Sequence, residues 1–287
     1  MPACFFVSDL HGDSSRYQKL FRAILDERPA AVFLGGDLLP MERFPLQSED
    51  IRITDFVHSL LGASFEKLNN RLGNDYPRIF IILGNDDPRS MEKEFIYWET
   101  RGIWEYISNR RVQFDHFFVY GYGYVPPTPF LLKDWERYDV SRFVDPGCIS
   151  PEDGLHSIPE TQNVIRFSTI QTDLERLSGE DNQSNAIYLL HSPPYHTPLD
   201  QAELEGKMVE DAPLDIHVGS IAVKRFVETH QPLISLHGHV HESARLSGTW
   251  RVLIGRTYSF SAAHDGSELA LVRFDPETPE TATRDLI

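Results

Sequence analysis

Five short apolar runs in this chain end alike. Cys4-Phe5-Phe6-Val7, Ala31-Val32-Phe33-Leu34, Ile79-Phe80-Ile81-Ile82-Leu83, Ala186-Ile187-Tyr188-Leu189-Leu190 and Leu233-Ile234-Ser235-Leu236 each lead within a few residues to Asp, Asn or His. Runs this short, with little polar alternation, are the pattern of strands buried on both faces. Open α/β sheets carry their chemistry outside the C-terminal strand ends, and these polar residues fall there. The second run is the pivot. Gly35 and Gly36 turn the backbone sharply and leave the carboxylate of Asp37 at the edge.

Taken in order, the first run delivers Ser8-Asp9-Leu10-His11-Gly12. Asp9 and His11 are two apart, which in an extended segment places them on one side. A helix carrying Leu20, Phe21, Ile24 and Leu25 follows, with Ser14 or Ser15 as its cap. A polar, Pro-rich stretch over 38–50 separates the pivot strand from a second helix near 51–72. The strongest strand signal, 78–83, ends in Gly84-Asn85-Asp86-Asp87, and Pro88 opens a helix over 91–98. Strand, helix, strand, helix, strand is the order of a parallel α/β layer.

The middle of the chain changes character. Segments 103–107, 112–114 and 117–120 are short and aromatic, as in antiparallel strands. Residues 121–160 are rich in Pro, Gly and aromatics (Tyr122, Tyr124, Phe130, Trp135, Tyr138), and we expect a cap-like covering element there. Tyr122-Gly123-Tyr124-Val125-Pro126-Pro127 is a candidate pocket wall within it. A helix over 162–177 precedes the fourth run, which ends in His191-Ser192-Pro193-Pro194. A second irregular loop occupies about 195–218. A helix over 220–228 then leads to the fifth run and His237-Gly238-His239-Val240-His241. Strands over 251–254, 257–260 and 269–274 close the chain. The fold class is α/β: one domain over 1–287, with two sheets and helices outside them.

The chain has 287 residues, enough for one large core, and its 41% hydrophobic content can fill it. No run of 18 apolar residues exists, so no membrane partner is expected. The start lacks the pattern of a signal peptide, and Cys4 and Cys148 give no disulfide framework, so the expected location is the cytoplasm. A net charge of −16 repels phosphate backbones and argues against nucleic acid as a partner.

The strand ends together offer Asp9, His11, Asp37, Asn85, His191, His239 and His241. Singly, each has an ordinary structural use as a cap, a turn or a packed histidine. As a set they are oxygen and imidazole donors without thiolate, which suits Mn, Fe, Zn, Co or Ni rather than Ca. Seven ligands are too many for one ion with an open position and suit two ions with a bridge.

Asp9-x-His11, Gly36-Asp37, Gly84-Asn85-x-Asp87, His191 and Gly238-His239-x-His241 stand in the order seen in calcineurin-like metallophosphoesterases, and the chain resembles that family from Asp9 to His241. The resemblance implies a four-layer αββα sandwich with two mixed sheets. It implies two divalent metal ions, with manganese the first candidate. One ion would take Asp9, His11 and His241, the other Asn85, His191 and His239, and Asp37 would bridge. Two cations at roughly 3.5–4 Å need an anion between them, and a bridging hydroxide would be the nucleophile toward a phosphomonoester or phosphodiester. Asn85 would bind metal through its amide oxygen and face phosphate with its amino group.

One position departs from the pattern. Most ester-cleaving members carry His directly after the Asn, as the proton donor to the leaving group; here it is Asp86. A carboxylate beside two cations stays ionised and donates poorly. His196 and His217, in the irregular loop, are the replacement candidates. Arg256 is a further candidate for phosphate contact, and Asp87 for bracing a ligand or capping a helix. His237 lies outside the motif and is expected to be structural. The alternatives to a small-substrate hydrolase are a protein-binding scaffold on the same fold and a nuclease. The complete ligand set disfavours the first and the acidic balance the second.

Overall fold

The computed structural model describes residues 4–40, 53–209 and 211–287. Most of the Pro-rich stretch over 38–50, and the start of the helix expected near 51, lie outside the described residues. The strands form two six-stranded sheets. The first runs, in spatial order, β14 (Thr283–Leu286), β13 (Ala270–Phe274), β1 (Cys4–Val7), β2 (Ala31–Gly35), β3 (Arg78–Ile82) and β4 (Glu105–Tyr106). The second runs β11 (Arg251–Ile254), β12 (Thr257–Ser261), β10 (Ile234–His237), β7 (Ala186–Leu190), β6 (Phe117–Tyr122) and β5 (Arg110–Phe114). A small ribbon pairs β8 (Met208–Val209) with β9 (Ala212–Pro213).

Both sheets are mixed. β1 to β4 are parallel, with β13 antiparallel to β1 and β14 antiparallel to β13. In the second sheet β6, β7, β10 and β12 are parallel, and β5 and β11 are antiparallel edges.

The strand period of two explains why these runs are apolar throughout. Phe6, Phe33, Phe80 and Ile82 of the first sheet share an inner layer with Ile187, Leu189, Ile234, Leu236 and Phe260 of the second. Their neighbours Phe5, Val7, Val32, Leu34, Ile79 and Ile81 face outward and pack with helical residues such as Tyr17, Leu20, Ile24, Phe65 and Phe95. Tyr188 meets Phe226 of the helix Ile221–His230 with ring centroids 4.9 Å apart on the other flank. The layer order is therefore helix, sheet, sheet, helix.

Several local expectations change. Asp13, not Ser14 or Ser15, caps the helix Ser14–Glu27, accepting from Ser15 N at 2.8 Å and Arg16 N at 3.1 Å. A carboxylate one residue upstream reaches both orphan amides. The helix expected over 51–72 includes a π-helical stretch, Phe56–Gly62, before Ala63–Leu72. The expected helix over 162–177 is two, Gln162–Phe167 and Ile170–Ser178, because Thr169 forms a capping box with Thr172. β4 is not antiparallel to its sequence neighbours; it pairs parallel with β3 in the first sheet. β14 is an addition to the expected strands, and its polar residues are largely exposed at a sheet edge.

Residues 121–160 have little regular structure but a firm interior. Tyr122, Tyr124 and Trp135 are buried, so they pack the core rather than line a pocket. Lys133 and Glu136 form a wholly buried ion pair, and Thr128 bonds to both. Asp134 accepts from Arg89 N at 2.8 Å, which ties the segment to the loop beyond β3. No helix among the described residues is long and apolar enough to cross a membrane.

Phe80 sits between the sheets against Phe33 and Phe114, with centroids at 5.1 and 5.7 Å. Phe80→Ala should lower the unfolding free energy by about 3–5 kcal/mol, measured by urea denaturation.

Candidate metal centre

Beyond β1 and β2 the backbone goes on pairing after the strands have ended. Asp9 N donates to Gly36 O at 3.0 Å, His11 N to Asp37 O at 2.9 Å and Gly12 N to Leu38 O at 3.0 Å. These bonds hold non-glycine residues in the left-handed region, with φ of 56° at Asp9, 44° at His11 and 53° at Asp37; His239 has φ 73°. Such conformations cost free energy and persist where the surroundings over-determine them. The segment from Asp9 to His11 is thus not extended, contrary to the expectation from its spacing, although both side chains still reach one place. Two glycines permit the crowding. A Cβ on Gly84 would lie 2.3 Å from Asp37 Oδ1, and one on Gly36 would lie 2.7 Å from His191 Nδ1.

His11, Asp37 and the buried Asp9 approach His241 on one side, and Asp37 approaches His191 and His239 on the other. One ligand atom from each of Asp9, His11, Asp37 and His241 lies within 4.8 Å of the others, and the same holds for Asp37, His191 and His239. His11 Nε2 is 3.1 Å from His241 Nε2, which is 3.3 Å from Asp9 Oδ1. His191 Nε2 is 3.2 Å from Asp37 Oδ2 and 3.1 Å from Asn85 Oδ1. Two donors that share a cation at about 2.1 Å stand about 3.0 Å apart at an octahedral angle and about 3.4 Å apart at a tetrahedral one. The observed separations fall in that range. Asp9 Oδ2 and His11 Nδ1 are buried without a hydrogen-bond partner. Buried polar atoms are rarely left so, and a cation would satisfy a carboxylate oxygen in such a place. The donor set fits divalent cations.

The sequence matches the model of the calcineurin-like phosphoesterase family over residues 4–243. The chain belongs to that family.

Solved structures agree at the level of the fold. The protein TT1561 of Thermus thermophilus superposes with a TM-score of 0.59 at 16% identity, covering 99% of this chain and 98% of that one. A second crystal structure gives 0.60 at 14% identity, with the same coverage. None of the curated proteins matches the chain.

The electrostatics of this family member follow from crowding acids and imidazoles together. Burial opposes ionisation of Asp9, but its hydrogen bond to His241 and that ring's positive charge hold the carboxyl far below its usual range. Against the same burial, His191 lowers Asp37 to about 2. In turn, against their own burial, Asp37 lifts His191 to about 10 and Asp9 lifts His241 to about 9. Desolvation and the charge of His191 push His239 down to about 3. His191 Nδ1 donates to Gly35 O at 2.7 Å, so its second proton sits on Nε2, facing Asp37. This proton occupies the lone pair a metal would use.

Asp87 is buried and braces the loop after β2. It accepts from Leu38 N at 3.0 Å, Leu39 N at 2.8 Å and Gly84 N at 2.9 Å. It does not cap the following helix. Asp86 donates its backbone N–H to Asp37 Oδ1 at 2.9 Å. Burial and the carboxylates of Asp37 and Asp87 push its own carboxyl up to about 8, the opposite of what nearby cations would do. The amide nitrogen of Asn85 donates to Asp86 Oδ1 at 3.0 Å.

The remaining candidates belong to neither donor group. His196 and His217 lie side by side in the loop beyond His191, with ring centroids 4.5 Å apart and planes tilted by 39°. His217 Nδ1 bonds Asp200 Oδ1 at 2.7 Å. Asp200, absent from the sequence-based candidates, is fully buried and also accepts from the backbone of His196, Thr197 and Gly219. No motif marks it; only its donors single it out. Arg256 is not near the centre. It precedes β12, at the strand end opposite His239, and its side chain bonds Gln231 O at 2.9 Å. His237 is buried outside both donor groups, and burial pushes it down to about 4, so it is neutral.

Protons on His191 and His241 compete with metal for the same nitrogens. Both pKa values are raised, so lowering the pH favours the protons and weakens metal binding. Calorimetric titration with Mn should show proton release on binding, with affinity falling from about pH 8 to about pH 6.

Proposed function

We propose that this chain hydrolyses a small phosphate ester at two divalent cations. Asp9, His11 and His241 hold one, Asn85, His191 and His239 hold the other, and Asp37 serves both. The observation that carries this reading is the membership of Asp37 in both donor groups. When bound, such a pair lowers the pKa of water and neutralises charge on the phosphoryl group. Manganese is the first candidate, with Fe, Zn, Co and Ni compatible with the same donors.

The chain's own residues supply the rest. Gly35 O fixes the ring of His191 and so presents Nε2 to the centre. Asp87 holds the Leu38-Leu39 backbone, and with it the loop that carries Asp37. Asp86, beside the cations, is ionised and does not deliver the leaving-group proton.

For that proton we propose His217, oriented by Asp200 as a carboxylate orients a general-acid imidazole, with the tilted ring of His196 beside it. Their loop begins just beyond His191 and is tied by Glu203 N to Glu242, the residue after His241, at 2.9 Å. It therefore borders two ligand-bearing strand ends. A substrate with a good leaving group would need this assistance least.

Hydrolysis of bis(4-nitrophenyl) phosphate and 4-nitrophenyl phosphate with added Mn tests the reading. Activity should vanish with EDTA and fall more than about 100-fold in Asp37→Asn. A wild type that binds metal yet turns over neither compound would favour a binding scaffold. Separately, His196→Ala plus His217→Ala should alter the pH–rate profile and slow alkyl esters by roughly 10²-fold or more. Identical profiles would remove both histidines from the chemistry.

A further inference from the structure

His237 closes β10, and its ring lies wholly buried between two ligand-bearing loops. Nδ1 is 2.9 Å from the carbonyl oxygen of Ser192, and Nε2 is 2.8 Å from Ser235 Oγ. Ser235 Oγ is 2.7 Å from Ser259 Oγ on β12. A carbonyl can only accept, so Nδ1 carries the hydrogen. None of its hydrogen-bond partners is an anion, so the ring is neutral and Nε2 accepts from the Ser235 hydroxyl. That uses the only proton on Ser235, so Ser259 donates to Ser235. Every hydrogen in the chain from Ser259 to Ser235 to His237 to Ser192 then has one direction.

This chain ends on the residue after His191. Gly238 N donates to His191 O at 3.0 Å, so residues 237 and 238 hold two consecutive carbonyls of the β7 loop. Ala262 N donates to His237 O at 3.1 Å and fixes the other side. His191 and His239, with ring centroids 5.3 Å apart, project from the two backbones thus stapled together.

We infer that His237 is a positioning residue: its ring sets the separation of His191 and His239, and so the affinity of the site those two form with Asn85. The inference rests on the two-cation reading. The site of Asp9, His11 and His241 shares Asp37 with that of His191 and His239, and meets His239 through the bond from His239 N to Asp9 Oδ1 at 3.0 Å. Asp9 and His11, however, come from the loop after β1, whereas the His237 ring bonds Ser192 and Ser235, so that site depends on His237 far less.

The test is calorimetric titration of the full chain with Mn. Wild type is compared with His237→Leu, which removes both hydrogen bonds, and with His237→Asn, whose amide can still donate to Ser192 O. His239→Ala and His241→Ala mark which binding phase belongs to which ion, and circular dichroism in EDTA reports folding. His237→Leu should weaken the His191–His239 ion about 10–100-fold, leave the other within about threefold, and be partly rescued by Asn. Equal weakening of both ions, or wild-type affinity for both in His237→Leu, overturns the inference. A wild type that binds fewer than two ions instead overturns the two-cation reading. Should His237→Leu fail to fold, Ser235→Ala, which removes the donor to Nε2, should weaken the same ion several-fold, and no change there overturns the inference equally.

Discussion

Asp37 has two oxygens and two sets of neighbours. Oδ1 accepts from the backbone of Asp86, and Oδ2 faces His191 Nε2 from the other sheet. Its left-handed backbone would relax if left alone. Pairing between the loops after β1 and β2, and the clamp of Asp87 on the next two amides, prevent this. One carboxylate is thereby common to two donor clusters, and the chemistry proposed for the chain follows from that sharing.

The fold delivers this arrangement because parallel strands of both sheets end on the same side. β1, β2 and β3 bring Asp9, His11, Asp37 and Asn85; β7 and β10 bring His191, His239 and His241. The sheets are joined at this edge by polar contacts, such as His191 Nδ1 to Gly35 O, as well as by the phenylalanine-rich layer between them. Histidines lifted by neighbouring acids, and acids lowered by neighbouring histidines, keep mutually repelling groups close. Protons carry the positive charge in that balance, and a metal must displace them.

Much of this is legible in the sequence because the central strands are buried on both faces and so stand out as apolar runs. The polar, exposed edge strand β14 has no such mark. β4 is visible as a strand, but its partner β3 is set by tertiary pairing. The ligand positions can be named from the Asp, Asn and His at strand ends. Their left-handed backbone cannot, since Asp and His adopt it more readily than most non-glycine residues but still uncommonly. At Asp9, His11, Asp37 and His239 it accompanies long-range hydrogen bonds that no local pattern reveals. Arg256 looks suitable as a cation after a glycine beside a late strand, but the direction of β12 puts it at the far end. The aromatics at 122 and 124 are ambiguous between wall and core, and burial decides for core.

The most direct test of the shared carboxylate is anomalous X-ray scattering at the manganese edge from crystals grown with excess Mn. Two peaks about 3.5–4 Å apart, one on each side of the Asp37 carboxylate, are the predicted result. A single peak, or two peaks with Asp37 touching neither or only one, would contradict it.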